Sequence, residues 1–116
     1  MHIALKRVYE KPAESDGKRI LVDRLWPRGL TKEKAKVDIW LKDIAPSTEL
    51  RQWFNHEPSK WPEFKKRYRA EMSSNKPALS VLNDLLTGEK VTILYGAKDE
   101  EHNEAVVIKE YFEAGS

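Results

Sequence analysis

Ile20-Leu21-Val22-Asp23-Arg24-Leu25-Trp26-Pro27-Arg28-Gly29 is the stretch on which the fold turns. Its first three residues form a continuous apolar run bounded by charge. That is the pattern of a strand covered on both faces, as strands are in a parallel sheet flanked by helices. The run gives way to a loop: Pro27 biases Trp26 toward extended backbone and Gly29 permits positive φ, so regular structure stops near Trp26. A strand buried on both sides needs parallel neighbours.

The flanking sequence supplies them. Upstream, Ile3 to Tyr9 is rich in strand formers and is followed by turn signals at Lys11-Pro12 and Ser15-Asp16-Gly17. Downstream, Thr31 can cap a short helical turn over Lys32 to Lys36. Val37, Ile39 and Leu41 then share one face of a strand or extended edge. Three helices follow. The first starts at Pro46-Ser47-Thr48-Glu49, carries Leu50, Trp53 and Phe54, and stops before Pro58. The second starts at Trp61-Pro62-Glu63 and repeats Phe64, Tyr68 and Met72. The third starts at Asn75-Lys76-Pro77, presents Leu79, Leu82, Leu85 and Leu86, and is stopped by Gly88. Val91-Thr92-Ile93-Leu94-Tyr95 is the clearest strand; it breaks at Gly96-Ala97-Lys98-Asp99 before a last helix with Ala105, Ile108, Tyr111 and Phe112 on one side. Strands separated by helices imply parallel pairing through right-handed crossovers. The expectation is an α/β fold: a small, mostly parallel sheet with helices packed on it in a Rossmann-like layered arrangement, and ligands at the carboxyl ends of the strands.

A chain of 116 residues with 40% hydrophobic and 34% charged residues can build one core but not two, so residues 1–116 read as a single domain. The mean hydropathy of -0.71, the lack of an eighteen-residue apolar run and a start without signal-peptide features predict a cytoplasmic protein away from membranes. With no cysteine, disulfides, thiolate catalysis and zinc-thiolate sites are excluded. His2, His56 and His102 are scattered without metal-ligand spacing, so neither metal nor cofactor is expected. A net charge of +2 is too balanced to coat nucleic acid by charge alone.

Chemistry concentrates in the loops that leave the strands. Arg24, Trp26 and Arg28 place two guanidinium groups and an indole just past a strand end. Arg offers a fork of donors matched to carboxylate or phosphate, and Trp a face for stacking. The same residues equally describe a structural corner in which Asp23 pairs with an Arg and Trp26 fills a gap. At the other strand end, Lys98 and the helix start near Asn103 also face the carboxyl side, although Asp99 or Asn103 can simply cap the helix, and the segment is not a phosphate-binding Walker loop. Ser47 and Arg51 lie four apart on one helix face, with His56 at its end. A Ser47, His56 and Asp99 nucleophilic set can be drawn, but N-cap and helix-end roles fit Ser47 and His56 as well. The basic run Lys65-Lys66-Arg67 with Arg69 reads as a solvated helix face or a surface for nucleic acid or a protein partner. Trp40, on the edge strand, is the one hint of a dimer, and the sequence fixes no oligomeric state.

Arg7-Val8-Tyr9, the string from Val22 to Gly29, Pro46-Ser47-Thr48-Glu49-Leu50-Arg51 and Leu94-Tyr95-Gly96-Ala97-Lys98-Asp99, in that order, make the chain resemble the YeaO-like proteins of the domain-of-unknown-function 488 group. The resemblance spans nearly the whole chain. It implies a small bacterial-type α/β domain in the cytoplasm and brings no reaction with it. The residues expected to bind ligand are Arg24, Trp26, Arg28, Arg51, Lys98 and Asn103, with Ser47 and His56 as candidates for moving a proton. The expected occupant is a small anionic or phosphorylated ligand, a nucleotide among them. An interaction module on the basic helix face is the alternative, and a hydrolase-like enzyme ranks last.

Overall fold

In a computed structural model of the chain, which describes residues 2–114, all four strands run parallel in the order β1-β4-β2-β3. β1 is Ile3–Arg7, β2 Lys18–Leu21, β3 Ile39–Trp40 and β4 Val91–Tyr95. β2 starts two residues before its apolar run, at Lys18 and Arg19. Val22 prolongs the pairing, its amide donating to the Leu94 carbonyl at 3.2 Å. The strand or edge expected over Val37 to Leu41 is present as the short β3, which pairs Ile20 with Ile39 and Leu21 with Trp40.

Alternation along the strands sorts the two faces. Ile3, Ile20, Val22, Val91, Ile93 and Tyr95 point into the larger core. There they meet the helices α2 (Thr48–Phe54), α3 (Trp61–Ser74), α4 (Lys76–Leu86) and α5 (Glu104–Glu113). Tyr68, Leu82, Leu86 and Ile108 are fully enclosed in this layer. Leu21 and Leu94 point the other way, into a thinner cluster closed by Val8, Ala35, Trp26, Leu30 and Val37. That face carries only the single-turn helix α1 (Lys32–Ala35), capped by Thr31 as its sequence requires, and irregular chain. The architecture is therefore α/β, with four helices on one side of a parallel sheet and loops on the other. α4 ends at Leu86 with Thr87 as its cap, and Gly88 is not left-handed; the stop expected of that glycine comes from the turn itself.

The connection from β1 to β2 is unusual for parallel strands because it contains no crossover helix. Ten residues, Val8 to Gly17, must return from the carboxyl end of β1 to the amino end of β2. Asp16 pins their far end. Its carboxylate accepts from Lys6 Nζ at 3.1 Å, Arg19 Nη1 at 2.6 Å and the Ala13 amide at 3.0 Å. The Thr92 hydroxyl donates to the Asp16 carbonyl at 2.6 Å, which ties the loop to the central strand. Arg19 in turn donates to the Ala35 and Lys36 carbonyls, so one ionic cluster holds the loop, β2, β4 and α1 together. Burial raises the Asp16 pKa, but the Ala13 amide and the two cations outweigh it, and the carboxyl sits below its ordinary value.

Candidate functional site

β2 and β4 are neighbours whose chains leave in opposite directions. After β2 the chain turns onto the loop-covered face through residues 24–37, whereas after β4 it turns onto the helical face and enters α5. Adjacent strands that part in this way open a crevice at their carboxyl ends, the place where parallel sheets hold ligands. A cleft of about 710 Å³ lies there. Its walls are the Asp23 to Arg28 segment, Gly96 and Ala97 after β4, the start of α5, and the end of α2.

Of the residues expected to bind ligand, Arg24, Trp26, Arg28, Arg51 and Asn103 line this cleft, and so does His56. Arg24 donates from Nη2 to the Pro46 carbonyl at 3.1 Å, while its buried Nε has no partner among the described residues. Trp26 forms the corner that the sequence left open as an alternative: its indole N-H donates to the Leu30 carbonyl at 2.7 Å and its ring meets Trp40 edge-on at 5.5 Å. Arg28 and Arg51 project as exposed cations. The Asn103 amide is taken up locally. Its Oδ1 caps α5 by accepting from Val106, and its Nδ2 donates to the Asp99 carbonyl. His56 follows Asn55 in a rare pair of left-handed residues, with φ of 55° and 47° respectively, that ends α2 at the cleft wall.

Lys98 is exposed and lies outside the cleft lining. Ser47 faces a separate small cavity, where its hydroxyl donates to Glu71 Oε2 at 2.5 Å and accepts from the Leu50 amide as the N-cap of α2. Asp99 is engaged with His102, the carboxylate 2.9 Å from Nδ1. Ser47, His56 and Asp99 are therefore not gathered at one place. The basic run on α3 is also divided. Lys65 reaches Glu110 at 3.4 Å, Arg69 lies over Tyr111, and Arg67 pairs with Glu63 at 2.8 Å while stacking on Trp53. Among the described residues no group of three or more His, Asp and Glu side chains is placed to hold a metal, and no helix is long and apolar enough to cross a membrane.

Four residues of the site were not singled out by spacing. Asp23 bridges the two parting strands by accepting the Gly96 amide at 2.8 Å. A Cβ at position 96 would sit 2.8 Å from that carboxylate oxygen, so the bridge requires glycine. Glu104, the first residue of α5, brings its carboxyl within hydrogen-bonding reach of Asp23. Burial, and then the bond and charge of Asp23, push the Glu104 pKa well above its ordinary 4.5, with Arg51 opposing. His102, the fourth, also lines the cleft and rests edge-on against Trp61 at 5.2 Å. Asp23 and Gly96 directly follow apolar strand runs, and that position was the available signal. Glu104 and His102 gave none, because only the fold turns the start of α5 toward β2.

A carboxyl with a raised folded-state pKa stabilises the protein below its unfolded pKa and loses that contribution as pH rises through the folded value. Glu104→Gln is therefore expected to be more stable than the parent at pH 8 and to lose that advantage at pH 5. Thermal melts of the two proteins across this range check it, and a pH-independent difference would overturn the raised pKa of Glu104.

Comparison with known proteins places the chain. The model described as the inactive DUF488-N3 subclade matches residues 2–115. Uncharacterized protein YeaO of Escherichia coli (strain K12) is 42% identical over 111 residues, covering 96% of each chain. Uncharacterized protein Rv3073c of Mycobacterium tuberculosis (strain H37Rv) and Uncharacterized protein Mb3100c of Mycobacterium bovis are each 40% identical over 106 residues, 91% of this chain and 89% of theirs. No solved structure matches. With nearly every residue inside the match and two fifths of them identical, the chain belongs to the YeaO-like DUF488 family.

Proposed function

We propose that the cleft binds a small anionic or phosphorylated ligand in the cytoplasm, with Arg24 as its principal anchor and Arg28 and Arg51 as flanking cations. One observation carries the reading: the buried Nε of Arg24 has no partner among the described residues, although Arg24 lines the cleft. Leaving a buried donor unmade costs about 1–3 kcal/mol, more for a charged group, and an acceptor that approached Arg24 from the cleft, or from the small cavity beside Ser47 that Arg24 also lines, would relieve it. Phosphate and carboxylate oxygens are the natural acceptors for a guanidinium. Binding rather than turnover is favoured because the matched subclade is described as inactive and Ser47 stands outside the cleft with its hydroxyl held by Glu71.

A thermal-shift series with inorganic phosphate, sulfate and mononucleotides tests this reading. A ligand present at a hundred times its Kd adds about 2.7 kcal/mol, a rise of several degrees for a domain of this size. The rise is expected in the parent and in Lys98→Ala, and is expected to vanish in Arg24→Met, which keeps the aliphatic stem. A rise of equal size in Arg24→Met would move the anion elsewhere. Salt-dependent binding of DNA or RNA that is lost on charge reversal at Lys66 would transfer the function to the helix face.

A further inference from the structure

We propose that the ligand of the cleft is a phosphate ester of a polyhydroxylated compound, its phosphate at Arg24 and its hydroxyl groups at the Asp23 and Glu104 carboxyls. The proposal rests on the reading of the cleft as an anion site and specifies the other end of the molecule held there. A cleft meant for a bare anion has no use for carboxyl groups, which repel it, yet two of them line the same walls as Arg24, Arg28 and Arg51. Their acceptor positions are largely unfilled. Apart from the bond between the two carboxyls, Asp23 takes only the Gly96 amide and Glu104 only its own backbone amide among the described residues.

Hydroxyl groups are the partners that such a pair selects. Carboxylate oxygens accept from adjacent hydroxyls, and a carboxyl that keeps its proton donates back to a hydroxyl oxygen, so a pair sharing one proton offers both functions at once. An ammonium group only donates and would drive the shared proton off. The raised pKa of Glu104 therefore fits hydroxyls better than an amine.

Isothermal titration of the parent with inorganic phosphate, ribose 5-phosphate and O-phosphoethanolamine separates the possibilities. Ribose 5-phosphate is expected to bind about tenfold or more tighter than inorganic phosphate, the equivalent of one good charge-assisted hydrogen bond. In Glu104→Ala the ratio of the two affinities is expected to fall toward one, and in Glu104→Gln, which keeps a donor and an acceptor, to fall less. Equal affinities in the parent, or a ratio that Glu104→Ala leaves intact, overturn the proposal while leaving the anion site standing. Tighter binding of O-phosphoethanolamine than of ribose 5-phosphate overturns it in favour of an amine. Failure of all three probes to bind, with Arg24→Met indistinguishable from the parent, rejects the anion site itself and the proposal with it.

Discussion

Asp16→Ala is expected to remove about 3–5 kcal/mol of stability, the usual cost of taking one partner from a buried ion pair and leaving the other charge behind. Arg19 is 4% exposed and would keep its two carbonyl partners, but its guanidinium would lose the carboxylate it pairs with, Asp38 being engaged by the Arg19 backbone amide. The loss extends past the pair. The Ala13 amide loses its acceptor, Lys6 loses its partner, and the far end of the loop between β1 and β2 is then held to β4 through the Thr92 bond, with Val8 still paired to Tyr95 at its near end. Urea unfolding of parent and variant measures the difference, and a loss below about 1 kcal/mol would show the cluster to be decoration on a stable sheet. The pH dependence gives an independent reading. Because the folded pKa of Asp16 is lowered, its contribution is present above the ordinary value of 3.8 and is lost as pH falls through the folded one. Asp16→Asn is accordingly expected to flatten the acid limb of the stability profile below about pH 4.

The neighbouring Gly17→Ala is expected to be of similar severity for a different reason. Gly17 has φ 66° and ψ -144°, a region that residues with a Cβ do not occupy without strain of about 1–3 kcal/mol. A Cβ there would also stand 2.2 Å from the Lys90 carbonyl oxygen, a backbone atom that accepts the Lys18 amide at 3.2 Å where β2 begins beside β4. Neither side can yield without breaking that bond. We expect a loss of about 3 kcal/mol or more, seen as a fall in Tm of roughly 10 °C or greater. A variant that melts within two or three degrees of the parent would mean that the connection relaxes freely. Gly29, at φ 83° with open space around it, is the control: alanine there meets backbone strain alone and should cost less.

Much of the fold was legible because its signals are local. Apolar runs marked β2 and β4, strand-forming composition marked β1, alternation left β3 as a strand or an extended edge, proline and hydroxyl caps marked the helix starts, and the order of elements implied parallel pairing. The cleft was legible in part. Arg24 and Arg28 sit where loop position and residue type place them, because a parallel sheet fixes the end at which its loops gather, while Arg51 reaches the cleft from the helix α2. The rest depended on information with no local form. Ser47 carries a reactive hydroxyl and an N-cap signature together, and only Glu71, twenty-four residues away, decides between them. The Asp23 and Glu104 pair joins residues eighty-one positions apart, and nothing near either one in the sequence announces the other. The Lys65 to Arg69 run looked like one charged face because sequence shows spacing and hides partners. Its cations lean toward α5 on one side and toward Trp53 on the other.

The position of β4 bears on how the protein is made. The strand at the middle of the sheet is the last to be synthesised, and β1 has no partner in the sheet except β4. β2 has only the two-residue β3 besides. Before residues 91–95 are made, the sheet is limited to the short β2 and β3 pair, and the helices α2 to α4 have only that fragment to cover. Completion of residues 91–95 then lets the layers close together in one cooperative step dominated by long-range pairing. This fold cannot assemble from its amino end as synthesis proceeds. Until its central strand appears, the apolar runs of the growing chain stay exposed to aggregation.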